Sequence, residues 1–103
     1  GEAKGDLLYQ DEFATAFQDI HPVAPVHILI VPNKHISSMN EMTAEDEALI
    51  GHLMWVAKKI AVEQGVAQSG YRLSINTGRN AGQSVSHLHV HLMAGKALPI
   101  HLG

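Results

Sequence analysis

The chain has no cysteine, which excludes disulfides and any thiolate-ligated metal within its 103 residues and fits a reducing cytosol. Positive charge is also scarce. Seven Lys and Arg against ten Asp and Glu leave a formal charge of −3, so no basic stripe is available for a nucleic-acid backbone, and no polynucleotide partner is expected. No stretch approaches the ~18 consecutive apolar residues of a membrane span, and no charged-then-apolar leader opens the chain. A soluble, cytoplasmic protein without membrane association is expected. Internal repeats, low-complexity tracts and linkers are missing as well. With 46% hydrophobic residues, positions 1–103 read as one small domain, short enough that dimerisation would usefully bury more surface.

Turn residues divide the chain into strands and one helix. Leu7 to Gln10 and Phe13 to Gln18 flank Asp11-Glu12, predicting a tight hairpin. Ile20 to Pro25 holds Pro22 and Pro25 and reads as a loop, because proline removes ladder donors. His27 to Val31, an apolar β-branched run closed by Pro32, predicts a central strand covered on both faces. Thr43-Ala-Glu-Asp46 has the form of a capping box, and Leu49, Leu53, Val56 and Ile60 recur at helical spacing. Ile50, Met54, Ala57 and Ala61 widen that stripe, and Gly65 suits a left-handed stop, so a helix is predicted over Ala44 to Gln64. Its apolar face is broad for a helix lying on one sheet, which suggests a second contact such as a subunit interface. Tyr71 to Asn76 and Ser86 to Met93 alternate as strands around a loop at Thr77 to Ser84. The class is α+β, with an antiparallel meander as the simplest topology.

Histidine, with eight copies, is the one residue type used out of proportion. His87, His89 and His91 alternate with Leu88, Val90 and Leu92, so on a strand the imidazoles share one face and the aliphatics the other. A purely structural set is one reading, but three in register opposite three aliphatics favour chemistry. Metal ligation is a second reading. At ~3.3 Å per residue, however, His87 and His91 stand about 13 Å apart along a strand, too far to share one ion without bending, and no helical metal motif or carboxylate cluster supplies other ligands. Nucleophilic catalysis is a third. A neutral imidazole attacks phosphorus through one bare nitrogen when the other is held as a donor, and the middle histidine is best placed for this. Its neighbours can bind or protonate phosphoryl oxygens and the leaving group.

Ahead of the triplet, Gly78, Gly82 and Ser84 supply a flexible turn whose amides and hydroxyl can face an anion, although an ordinary hairpin loop would have the same composition. Phosphoryl transfer relies on such positioning and charge stabilisation.

The run Gly82-Gln-Ser-Val-Ser-His87-Leu-His-Val-His91-Leu-Met93 resembles the histidine triad (HIT) motif with its Gly-Gln-Ser-Val lead-in. The resemblance extends over Phe17 to Ile20, Pro22 to His27 with the strand that follows, Pro32 to Ile36, and Gly70 to Asn76, nearly the whole chain. Within the superfamily it is most similar to the nucleoside phosphoramidase branch, the HINT proteins. The resemblance implies a HIT-like fold, a five-stranded antiparallel sheet with one long helix, two copies of which form a ten-stranded sheet in a homodimer. It implies a nucleotide-binding hydrolase that cleaves purine nucleoside 5′-phosphoramidates or acyl-nucleotides to the monophosphate. In that reaction His89 attacks the α-phosphorus, nucleotidyl-histidine forms, and water releases the product without a metal or other cofactor. His91 and Ser84 would contact the phosphate, His87 and His27 would form the relay behind the nucleophile, and Asn76 would brace the loop. Asp19 would hold the ribose hydroxyls, Phe17, Ile20 and Val85 would line the base pocket, and Gly82 and Gln83 would complete the nucleotide site.

The bland readings of these residues stay open beside the resemblance. Phe17 and Ile20 could be core, Asp19 a turn residue, and His27 a satisfied core histidine. His21, His52 and His101 read as surface residues, and His35 has no catalytic role. Two departures from the branch stand out. The tail from Leu98 to Gly103 lacks the tryptophan that often reaches the partner's active site. The chain also begins at Gly1-Glu2, where similar proteins have already formed an N-terminal helix, which the resemblance implies is absent here. If a longer chain carried a Cys-x-x-Cys pair there, His35 and His87 would be its candidate zinc partners. Within these residues no metal is expected. Rival functions are a dinucleoside polyphosphate hydrolase, a non-catalytic nucleotide-binding regulator and a metal-binding module.

Overall fold

A computed structural model describes residues 5–100. His101 and its expected surface position lie outside them. Strands β1 (Leu7–Gln10), β2 (Ala14–Gln18), β3 (Val26–Pro32), β4 (Tyr71–Ser74) and β5 (Val90–Ala94) form one sheet, and helix α1 (Glu47–Glu63) lies between β3 and β4 in sequence. The sheet order is β1-β2-β3-β5-β4, with every neighbouring pair antiparallel. The simple meander therefore holds only for β1 to β3. Both β3 and β4 pair antiparallel with β5, so they run parallel to each other, and α1 supplies the crossover that a parallel relation requires.

The β1–β2 turn is built on Asp11, whose Oδ1 accepts the amides of Phe13 and Ala14, each at 2.7 Å. This Asx turn keeps Phe13 out of β2, and the residue is 53% exposed rather than part of the strand. Asp11 also reaches the helix. Its Oδ2 lies 2.6 Å from His52 Nε2 and accepts from the Tyr9 hydroxyl at 2.6 Å. His52, expected at the surface, is half-buried because it ties α1 to the hairpin.

The helix opens as a 3-10 turn over Ala44–Asp46, later than a uniform α-helix from Ala44 would, because the Asp46 carboxylate folds back. It accepts the Thr43 amide at 2.9 Å and the Lys34 ammonium at 2.6 Å. At the far end Gly65 takes φ 74°, the left-handed conformation that closes helices without a Cβ clash.

Leu53, Val56, Ala57, Ile60 and Ala61 are buried on the inner face of α1. They pack on the cross-strand rows Ala16, Ile30, Val90 and Ile28, Leu92. Each large aliphatic so buried contributes roughly 1.5–3 kcal/mol. The flanks of the stripe, Leu49, Ile50 and Met54, are only half-covered, and Val62 and Trp55 are exposed. Strand β3 corrects the expectation of two covered faces. Ile28 and Ile30 meet the helix, whereas Leu29 and Val31 are half-exposed on the opposite face and line a pocket. No helix among the described residues is long and apolar enough to cross a membrane.

Candidate active site

The site occupies the sheet face opposite α1. Register places Phe17, Leu29, His91 and Ser74 in one cross-strand row, and side chains directly opposed in a sheet share a face. Strand β5 begins at Val90, not Ser86, so His87 and His89 precede the ladder. The alternation survives nonetheless. Leu88, Val90 and Leu92 are buried, and the three histidines stay half-exposed. What replaces the ladder is the end of β3 and the segment that follows it: His87 Nε2 donates to the Pro32 carbonyl at 3.0 Å, and the Leu88 amide donates to the Ile36 carbonyl at 2.7 Å.

The hydrogen bonds determine the tautomers. His89 Nδ1 lies 2.7 Å from the His87 carbonyl, which can only accept, so Nδ1 carries the proton and Nε2 is left with its lone pair. That is the arrangement a neutral imidazole needs in order to act as a nucleophile. His27 Nδ1 accepts the Val23 amide at 3.1 Å. Its Nε2 is therefore the protonated nitrogen, and it donates to His91 Nδ1 at 3.0 Å. By the same logic His91 keeps a proton on Nε2. The His91 ring stands 4.9 Å from that of His89, centroid to centroid, so an N–H donor and a bare imidazole nitrogen sit on neighbouring rings.

Burial keeps both supporting rings neutral. It pushes His27 below the ordinary histidine value, and Asp19, whose Oδ2 is 3.4 Å away, opposes this without overcoming it. His91 is lowered to about 4, first by burial and then by the proximity of His89 and His27.

A pocket of about 710 Å³ opens over these groups, within the range of small-molecule sites. Phe17, Ile20, Leu29, Val31 and Val85 contribute apolar wall, and Ser84, His87, His89 and His91 contribute polar groups. Asp19 lines it too, with Oδ1 accepting the His21 amide at 2.8 Å, so it is a turn residue and a pocket residue at once. Several sequence-predicted positions fall elsewhere. Asn76, Gly82 and Gln83 do not line the pocket. Asn76 Nδ2 donates to the Ala81 carbonyl at 2.9 Å across the loop, Gly82 is a left-handed turn with φ 80°, and the Gln83 amide bonds to other loop groups. His27 stands behind His91, not behind His89, because the offset between β3 and β5 sets it diagonal to His91. His87 serves His89 through its carbonyl, while its imidazole turns to Pro32 and packs edge-on against the exposed His35 at 5.0 Å.

Three groups escaped sequence reasoning: the Val23 amide and the carbonyls of His87 and Pro32. Backbone groups carry no residue signature. One hint existed for Val23, since in Pro22-Val-Ala-Pro25 only two residues keep an N–H.

Asp19, His27 and His91 each present one ligand atom within 4.8 Å of the others. The set suits an ion poorly. With Nδ1 accepting from Val23, His27 Nε2 must carry a proton, and an ion could bind there only by breaking that bond.

Fold and site together define a class: an α+β domain whose described residues form one long helix and a five-stranded antiparallel sheet, with a histidine held at Nδ1 by a backbone carbonyl on the sheet face opposite the helix. Residues 1–98 match the HIT domain, and the chain belongs to the HIT family. It is 50% identical over 97 residues to the purine nucleoside phosphoramidase of Escherichia coli strain K12, covering 94% of this chain and 82% of that protein. Among solved structures it is similar to a HIT family hydrolase from Legionella pneumophila, with TM-score 0.94 and 37% identity over 98% of this chain and 90% of that one. A histidine triad protein from Clostridium difficile superposes with TM-score 0.90 and 42% identity, covering 95% and 84%.

Proposed function

We propose that this chain is a hydrolase of purine nucleoside 5′-phosphoramidates or acyl-nucleotides that works through a nucleotidyl-histidine on His89. The observation that carries the reading is the 2.7 Å bond from His89 Nδ1 to the His87 carbonyl, which leaves Nε2 bare in the pocket beside a neutral His91. The resemblance to an enzyme named purine nucleoside phosphoramidase supports the substrate class. Attack by Nε2 on the α-phosphorus forms an N–P bond and breaks the bond to the leaving amine or acyl group. The His91 Nε2–H hydrogen-bonds the reacting groups, and the departing amine takes its proton from solvent. Water then attacks the same phosphorus, Nε2 departs, and the nucleoside monophosphate leaves, the proton that water releases balancing the one the amine took up. Ser84, exposed on the pocket rim, is a donor to the phosphoryl oxygens. Asp19 accepts from the ribose hydroxyls and Phe17, Ile20 and Val85 line the purine pocket, a reading supported by their shared position around one cavity. No step requires a metal or other cofactor, and the residues 1–103 act as one domain.

The same reading makes the protein a cytoplasmic homodimer. Strand β4 is a sheet edge with every residue half-exposed, and the flank of α1 leaves Leu49 half-covered and Val62 exposed, as pairing of two sheets would require. The test is turnover of adenosine 5′-phosphoramidate by the wild type, His89→Ala and His89→Gly, with a dinucleoside polyphosphate run in parallel. Loss of roughly 10³-fold or more in both variants is expected. Equal rates in all three would end the assignment, and preference for the dinucleotide would move the enzyme to the neighbouring branch.

A further inference from the structure

Because the His87 carbonyl sets the protonation of His89, whatever holds that carbonyl holds the nucleophile. Residues 82–89 have no ladder partner, so their position depends on bonds to neighbouring loops. The most connected of these groups is the side chain of Gln83. Its Nε2 donates to the Ser37 carbonyl at 2.7 Å and to the Val85 carbonyl at 3.1 Å, and its Oε1 accepts the Gly78 amide at 2.9 Å. Its own backbone amide donates to the Gly78 carbonyl at 3.1 Å. The amide orientation is unambiguous, since the flipped form would set an NH₂ against an N–H and an oxygen against two carbonyls. Three separate segments thus meet at one half-buried side chain, which lies outside the pocket yet directly precedes Ser84 and Val85 on its rim.

We propose that Gln83 is a positioning residue of the reaction, clamping the phosphate-facing Ser84 and the His87 carbonyl by tying their loop to Ser37 and Gly78. The proposal rests on the reading of His89 as the nucleophile. Gln83 touches neither substrate nor reacting atoms. Its contribution falls chiefly on the chemical step, because the groups it fixes are those that meet the phosphorus, while Phe17, Leu29 and Val31 of the apolar wall are held by β2 and β3 and only Val85 shares the Gln83 loop. An ångström-scale displacement of reacting groups costs up to about 10²-fold in rate.

The test uses Gln83→Glu and Gln83→Met. Glutamate keeps the length and the acceptor for Gly78 but sets a carboxylate oxygen against the Ser37 and Val85 carbonyls. On protonation it regains one donor. Turnover of adenosine 5′-phosphoramidate is measured from pH 8 to pH 5 as a ratio to wild type at each pH, which cancels the histidine titrations common to both. Affinity for AMP and thermal unfolding are followed alongside. The expected result is a kcat ratio depressed about 10- to 100-fold at pH 8 in both variants. On acidification it climbs back for Gln83→Glu alone, and AMP affinity is little changed throughout. Variants equal to wild type, or a Gln83→Glu loss that stays flat with pH, or one that appears equally in AMP affinity, would overturn the positioning role. If Gln83→Glu does not fold, Gln83→Met still decides through its kcat ratio against its AMP affinity. A wild type with no turnover, or one unaffected by His89→Ala, marks failure of the underlying reading, which an active wild type with indifferent Gln83 variants does not.

Discussion

His27 Nε2 lies 3.0 Å from His91 Nδ1, and the direction of the proton between them is dictated from behind by the Val23 amide at His27 Nδ1. One backbone N–H thereby decides that both rings are donors toward the pocket.

Removing that N–H is possible with Val23→Pro. The substitution should release the tautomer of His27 and open Asp19, His27 and His91 to a divalent cation. Calorimetric titration with zinc should show binding to the variant tighter by about tenfold, the worth of one hydrogen bond. Nitrogen-15 spectra of His27 report the tautomer directly. Identical tautomers and identical zinc affinity in the two proteins would show that Val23 is not the lock.

The depressed pKa of His91 makes a pH prediction. The unfolded chain takes up a proton on this ring near pH 6.5, but the folded chain does so only near 4, so stability falls as pH drops through that interval. His27, also lowered by burial, acts in the same direction. Thermal unfolding of His91→Gln should show a shallower decline between pH 6.5 and 4 than wild type. An unchanged slope would refute the linkage.

Asp11 governs a lower window. Burial works to raise its pKa, but hydrogen bonds from Tyr9, Phe13, His52 and Ala14 outweigh it and hold the carboxyl well below the usual carboxylate range. Its stabilisation is present above about pH 4 and lost as pH falls further. Asp11→Asn should lower the midpoint of thermal unfolding at pH 7 and remove much of the acid-side fall below pH 4. Since the contact joins hairpin and helix and neither residue lines the pocket, AMP affinity should not follow it.

In the core, Leu53 is fully buried under the sheet, and Leu53→Ala should cost about 2–5 kcal/mol. At about 4–8 °C per kcal/mol for a domain near this size, the midpoint should drop by at least about 8 °C. A smaller shift by calorimetry would mean the site collapses around the deletion.

Gly82 separates strain from contact. Nothing lies within 4 Å of a Cβ built there, so Gly82→Ala meets no clash and pays only for its φ of 80°, about 1–2 kcal/mol. Asparagine tolerates the left-handed region better, so Gly82→Asn should be the milder of the two in both stability and turnover. The reverse order would place the cause elsewhere.

Much of this was legible in the residues alone. The alternation from His87 to Leu92 predicts a chemical and a structural face, and it survives even where the ladder does not, because burying Leu88, Val90 and Leu92 forces the odd positions outward. The helix, its capping residues and its glycine stop are local in origin and were readable to within a turn. Leu29 and Val31 misled in one respect: an apolar run does not say whether its second face meets a helix or a ligand.

Composition and period by themselves determined the class, the single helix, the polar face of histidines and the exclusion of thiolate chemistry, since each depends on side chains near one another in sequence. Only the tertiary structure decided which nitrogen of His89 is bare, that His27 serves His91, that β5 inserts between β3 and β4, and that Gln83 faces away from the pocket. The histidine and glutamine assignments rest on carbonyls and amides of Val23, Pro32, Ser37 and His87, and the strand order on the ladders of β3, β4 and β5. Every residue but proline owns the same backbone groups, so their roles are settled by where the chain brings them and by nothing written in the side chains.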